Sequence, residues 1–145
     1  LEQHVSGHRH DFEVVRRLPG RKLVLTNAPR DYALRVMRLL RIEHLFDAVL
    51  SIEDMAMFGH LRPKPDARML RRVAVRLRAR PGDCVLVEDT LVHQKSARKV
   101  GMRTVWMQRY ARRRVHGGPM VDRWSMRPAY VDRVVRGLRP LITGR

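Results

Sequence analysis

Cysteine is almost missing from this chain of 145 residues: Cys84 stands alone. One thiol can build neither an internal disulfide framework nor a cysteine-based zinc site. Long apolar runs are missing as well. Nothing approaches the ~18–20 consecutive apolar residues of a membrane span, which excludes a spanning helix. The stretch from Leu1 to His10 is polar and histidine-rich, without a secretory pattern, so a cytoplasmic protein is expected. Acid is scarce, with 14 Asp+Glu against 31 Lys+Arg and a formal charge of +17. Lysine is scarcer still: only Lys22, Lys64, Lys95 and Lys99 stand among 27 arginines.

What is present bounds the class. An apolar fraction of 44% is too high for a disordered chain. The length suits one compact domain, since about 150 residues bury roughly 68–70% of their unfolded surface. Arginine is spread along the whole sequence, helix faces included, and no nucleic-acid-binding motif accompanies it. That distribution reads as a compositional habit more than a dedicated nucleic-acid face. Such a field still attracts anionic substrates and binds polyanions nonspecifically at low salt.

The apolar pattern alternates between two periods. Leu23–Leu25 is a short run entering Thr26 and reads as a strand. Asp31–Leu40 has helical spacing, Ala48–Ile52 reads as a strand, and Asp66–Leu77 is the clearest amphipathic helix. Arg80-Pro81-Gly82-Asp83 is a turn. Cys84–Val87 is nearly continuous apolar sequence, as expected of a strand covered on both faces. Val92–Val100 is a helix closed by Gly101, and Thr104–Met107 is a further strand. This order predicts an α/β fold, a Rossmann-like parallel sheet with flanking helices. Residues 1–18 hold a leading helix over Asp11–Leu18, 19–110 form the core, and 111–145 form a basic, loop-rich tail. Within that tail, Tyr130–Leu138 has the spacing of one short amphipathic helix.

In open parallel sheets, ligands bind beyond the carboxyl ends of the strands. Three polar groups stand at such places. Thr26-Asn27 follows the first strand, and its hydroxyl and neighbouring backbone N–H groups suit a phosphate oxygen. Lys64 lies between Pro63 and Pro65, which restrict its backbone and aim a compact positive charge. Glu88-Asp89 sets two carboxylates at the mouth of a strand, where hard oxygen ligands suit Mg²⁺. Each has a plainer use. Thr26-Asn27 can start a turn, Lys64 can be a solvated lysine, and Asp89 or Thr90 can cap the next helix. In combination they make a phosphate-plus-metal site.

Lys22-Leu23-Val24-Leu25-Thr26-Asn27-Ala28, Arg62-Pro63-Lys64-Pro65-Asp66 and Val85-Leu86-Val87-Glu88-Asp89-Thr90 resemble motifs II, III and IV of the haloacid dehalogenase superfamily. The Thr-Asn-Ala form, with Leu45-Phe46-Asp47, is most similar to pyrimidine 5′-nucleotidase-type phosphatases. The resemblance covers about Leu18 to Tyr110. It implies a Mg²⁺-dependent phosphomonoesterase that works through an aspartyl-phosphate. It further implies that Thr26 and Asn27 hold the phosphoryl group, that Lys64 stabilises its charge, and that Asp89 holds Mg²⁺ with Glu88 assisting. Thr90 and His93 would stand behind the acids in supporting roles; many relatives carry Asn where His93 stands. The implied substrate is a small phosphorylated molecule, a nucleoside monophosphate.

The family's first motif, Asp-x-Asp, supplies the nucleophile and the acid/base group. Here the nine aspartates are Asp11, Asp31, Asp47, Asp54, Asp66, Asp83, Asp89, Asp122 and Asp132, and no two are separated by one residue. The strand that carries this motif and most of the helical cap are therefore expected to be absent. Leu1–Phe12 would be a cap remnant, and the chain a C-terminal part with negligible phosphatase activity. A competing reading is a non-catalytic phosphate- or nucleic-acid-binding module using the basic stretches Arg109–Arg114 and Arg123–Arg139. A histidine metal site at His4, His8 and His10 has weak support, because Gly7 interrupts it and no carboxylate motif accompanies it.

Overall fold

The computed structural model describes residues 9–109 and 127–143. They fall into two units, one of residues 9–64 with 138–143 and one of residues 65–109 with 127–137.

The first unit opens with α1 (Arg9–Arg17), whose Val14 and Val15 are buried. β1 (Leu23–Leu25) then leads through α2 (Arg30–Leu39) to β2 (Ala48–Leu50). The two strands pair in parallel, Leu23 opposite Ala48 and Leu25 opposite Leu50. Ala33 and Met37 of α2 are buried, with Leu45, Leu50 and Met55 completing this core. β2 ends sooner than the apolar run suggests. Ser51 and Asp54 form a reciprocal capping box that turns the chain into a 3-10 turn over Ile52–Met55. Arg30 then pairs with Asp54, and its backbone N–H donates to Glu53 Oε1 at 3.0 Å. A hairpin of β3 (Ala56–Met57) and β4 (His60–Leu61) follows. Phe58 (φ 52°) and Gly59 (φ 78°) make its tip, and left-handed backbone at both central residues is the signature of a type I′ turn. A short helix, α5 (Pro140–Thr143), belongs to this unit, and the Leu138 N–H donates to Asp11 Oδ1 of α1.

The second unit begins with α3 (Ala67–Arg76), capped by Asp66, whose Oδ1 accepts from the Arg68 N–H at 2.7 Å. Met69, Leu70 and Ala74 bury the apolar stripe expected of it. β5 (Val85–Glu88), α4 (Leu91–Lys99), β6 (Arg103–Met107) and β7 (Arg133–Val135) follow. All three strands are parallel, in the order β5-β6-β7. Trp106 and Thr104 of β6 lie in the buried middle.

The structure corrects three expectations. The strands form three separate sheets rather than one. β5 is not covered on both faces: Val85 is 50% and Val87 40% exposed. As an edge strand it pairs only with β6 among the described residues, so its apolar run does not report a central position. Finally, 130–138 is not a helix. Val131, Val134, Val135 and Leu138 have helical spacing, but their β-branched members join β6 as β7. This part of the basic tail is thus integral to the second unit. The rest of it, 110–126, lies outside the described residues, as do His4 and His8. No helix among the described residues is long and apolar enough to cross a membrane.

The β6–β7 register rests on a knot between Thr104 and Asp132. The Thr104 N–H donates to Asp132 Oδ2 at 2.8 Å, the Asp132 N–H donates to Thr104 Oγ1 at 3.0 Å, and Arg98 Nη1 reaches Asp132 Oδ1 at 2.9 Å. The Thr104 N–H first, and then the Arg98 charge, hold the Asp132 carboxyl below the usual aspartate range. A lowered native pKa stabilises the fold above the ordinary carboxylate range, and that contribution disappears as the pH falls through it. Asp132→Asn should therefore cost roughly 1 kcal/mol at neutral pH. It should also flatten the loss of stability on acidification, as urea melts at a series of pH values would record.

Candidate functional site

In the first unit, β1 ends by delivering Thr26. Its N–H donates to Leu50 O at 2.9 Å, which continues the β1–β2 pairing by one residue. Its hydroxyl oxygen accepts from the Ala28 N–H at 3.1 Å, folding the strand end into a tight turn. Asn27 then reaches 37 residues along the chain. Its Nδ2 donates to Lys64 O at 3.0 Å, and its Oδ1 accepts from the Lys64 N–H at 3.0 Å. Both polar ends of one amide thus grip the two backbone groups of Lys64. The structure brings Thr26, Asn27 and Lys64 together through this clamp. The flanking prolines restrict the Lys64 backbone, and Asn27 fixes its position. Asn27 is therefore spent chiefly on positioning Lys64, a role its place in the sequence does not announce.

In the second unit, β5 ends at Glu88, and Asp89 and Thr90 lead into α4. Glu88 turns back on its own chain. Its Oε1 accepts from the Asp89 N–H at 3.2 Å and the Thr90 N–H at 3.4 Å, while Oε2 lies 3.1 Å from His93 Nδ1. The Glu88 and His93 side chains are both largely buried. Thr90 occupies the cap position of α4 without capping through its side chain; its hydroxyl donates to Asp89 Oδ1 at 3.1 Å. The structure thus brings Glu88, Asp89, Thr90 and His93 together as one cluster. The adjacent Glu88 carboxyl, helped by burial, holds the Asp89 carboxyl above its ordinary range, and the Thr90 hydroxyl opposes this in part.

Two further residues shape this cluster. Gln94, fully buried, donates through Nε2 to Glu88 O at 2.8 Å and to Val105 O at 2.7 Å, bridging β5 and β6. Trp106 Nε1 donates to Asp89 O at 2.9 Å. The sequence signal for Gln94 was a polar residue three positions before Ala97 on the buried stripe of α4. Trp106 gave no signal beyond its apolar size.

A cation fits the acid pair chemically. No cluster of three or more metal-ligating side chains is found among the described residues. Mg²⁺ does not require one: it is commonly held by one or two carboxylates and keeps several waters. A carboxyl whose ionisation is opposed by a neighbouring acid is one whose charge a cation would relieve.

The haloacid dehalogenase-like hydrolase family matches residues 11–107, well over half of the chain. The chain belongs to this family. Solved structures agree at the level of the fold. The haloacid dehalogenase-like hydrolase YfnB from Bacillus subtilis, whose structure is bound to magnesium, is 17% identical with a TM-score of 0.72, over 97% of this chain and 56% of that one. A haloacid dehalogenase-like phosphatase from Thermococcus onnurineus is 25% identical with a TM-score of 0.64, over 92% of this chain and 54% of that one. A dehalogenase is 20% identical with a TM-score of 0.70, over 94% of this chain and 55% of that one. This member of the family therefore spans little more than half the length of the structures it resembles. No curated protein matches it.

Proposed function

We propose that this haloacid dehalogenase-like chain carries the phosphate-binding and metal-binding parts of a Mg²⁺-dependent phosphomonoesterase, with nucleoside monophosphates as the substrate class. The clamp of Asn27 on the Lys64 backbone, beside Thr26 at the end of β1, is the observation that carries this reading. A solvated lysine with no task needs no such hold on its main chain. Lys64 supplies positive charge where a phosphoryl group gains negative charge, and Thr26 orients an equatorial oxygen. Asp89 holds Mg²⁺, Glu88 keeps the strand end and His93 in place, and Thr90 orients the Asp89 carboxylate. When bound, Mg²⁺ neutralises phosphate oxygens. The nucleoside preference is supported by the Thr26-Asn27-Ala28 and Leu45-Phe46-Asp47 segments.

Inorganic phosphate tests the reading directly. Titrated into isotope-labelled protein, it should shift the amide signals of Thr26, Asn27, Ala28 and Lys64. Lys64→Ala should weaken that response at least about tenfold, equal to 1.4 kcal/mol. A folded protein whose residues 26–28 ignore phosphate would overturn the assignment.

A further inference from the structure

At the end of the β5–β6–β7 sheet lies an open cavity of about 610 Å³ that the reading above does not use. Its polar lining comes from Gln108, Arg127, Asp132, Arg133 and Arg136, and Val134 and Val135 supply apolar surface. Gln108 follows β6 directly, and its N–H donates to Val135 O at 2.8 Å, so β7 holds it in register. Arg133 opens β7 opposite Val105.

Two donors here have no ordinary explanation. Gln108 Nε2 and Arg133 Nη2 are both buried, and neither has a hydrogen-bond partner among the described residues. Burying a donor without a partner costs about 1–3 kcal/mol, and more when it is charged. Folded proteins seldom leave such groups unserved. The one nearby acid does not serve them. The Asp132 carboxylate is held by the Thr104 N–H and by Arg98. The other arginines add to the positive field. Arg127 Nη1 donates to Asp132 O, and Arg136 is fixed through its carbonyl by Arg109 Nε at 3.0 Å.

We infer that this cavity is an oxyanion site, in which Arg133 and Gln108 donate to a phosphate group and Arg136 balances its charge. Two donors without an acceptor, in a pocket with three guanidinium groups and one committed carboxylate, select a ligand that offers several acceptor oxygens and negative charge. A phosphate does so and a neutral polar group does not. The volume lies within the roughly 300–1,000 Å³ of small-molecule sites, and Val134 and Val135 give an organic body something to rest on. The ligand is thus inorganic phosphate or a small organic phosphate. The site is separate from Thr26, Lys64 and Asp89 and does not depend on their assignment.

Inorganic phosphate, phenyl phosphate, acetate and a short single-stranded RNA, each titrated at matched ionic strength, decide the matter. Expected are saturable shifts of the Gln108 side-chain amide and the Arg133 guanidinium with both phosphates. Arg133→Gln should weaken these at least about tenfold, equal to 1.4 kcal/mol, and Lys64→Ala should leave them unchanged. Arg133 Nη2 holds no partner, so this variant should fold; Gln108→Leu gives a second, independent loss. Tighter binding of phenyl phosphate would assign an organic phosphate, and equal binding would assign free phosphate. Either result upholds the site. Shifts that do not saturate, that acetate reproduces equally, or that survive both variants would overturn it. So would a response to RNA alone, which would make this face part of a nucleic-acid surface. Because the readout residues differ from 26–28 and 64, failure here is distinguishable from failure of the phosphatase reading.

Discussion

Asp89→Asn should weaken Mg²⁺ binding at least about tenfold, equal to 1.4 kcal/mol, and at the same time raise thermal stability in metal-free buffer. The two effects have one cause. Glu88 and Asp89 set two carboxyls side by side, and the Glu88 carboxyl, then burial, hold the Asp89 carboxyl above its ordinary range. A carboxyl with a raised native pKa binds its proton more tightly folded than unfolded. Its ionisation therefore opposes folding, and stability declines as the pH rises from the ordinary carboxylate range through the raised native value. Asparagine removes that opposition. Its side-chain oxygen can still accept from the Thr90 hydroxyl, so the local hydrogen bond need not be lost. It also removes one of the two charges that would hold Mg²⁺. A gain in stability coupled to a loss of ligand binding marks a group kept for function at a cost to the fold. The measurements are a Mg²⁺ titration followed at the Thr90 amide and a melt at neutral pH with chelator present. A variant that melts lower and binds Mg²⁺ as before would make Asp89 a structural residue.

The contrast between Asp89 and Asn27 shows what a sequence yields. Motif order, and the run of short strands and helices, were legible because each depends on residues within a few positions of one another. Leu23–Leu25, the Met69, Leu70 and Ala74 stripe, and the turn at Arg80–Asp83 all form where local periodicity puts them. The acid pair was legible for the same reason. Partnerships across long separations were not. The Asn27 grip on Lys64 spans 37 residues and the Thr104–Asp132 knot spans 28. Neither leaves a period in the sequence. The second of these is why 133–135 became a strand instead of part of a helix: Val131, Val134 and Val135 satisfy both patterns, and the pairing with β6 chooses between them. The exposed face of β5 escaped notice for a related reason. An apolar run records what a strand is able to bury, and its neighbours decide how much of it is covered.

Gln94→Leu should lower stability by about 2 kcal/mol, which for a chain of this size is a fall of roughly 6 °C in Tm. Gln94 is fully buried on α4, and both hydrogens of its amide are committed, one to Glu88 O of β5 and one to Val105 O of β6. That pattern also fixes which end of the amide is nitrogen, since two carbonyls can face only donors. Leucine fills nearly the same volume, so the loss is not a cavity but two carbonyls deprived of a donor. The loss is smaller than the full penalty for both. The amide oxygen Oε1 is itself buried without a partner among the described residues, and leucine relieves that. Gln94→Glu separates the contributions. An ionised glutamate keeps the shape, cannot donate to either carbonyl and brings a buried charge, so it should be worse than leucine at neutral pH and recover part of the difference in acid, where the protonated group donates once. The effect should reach the acid pair too, because Gln94 holds the carbonyl of Glu88 itself. A Mg²⁺ titration of Gln94→Leu should show weaker binding although residue 94 touches no ligand. Unchanged Tm and unchanged Mg²⁺ response in that variant would show that water serves the two carbonyls as well as the glutamine does.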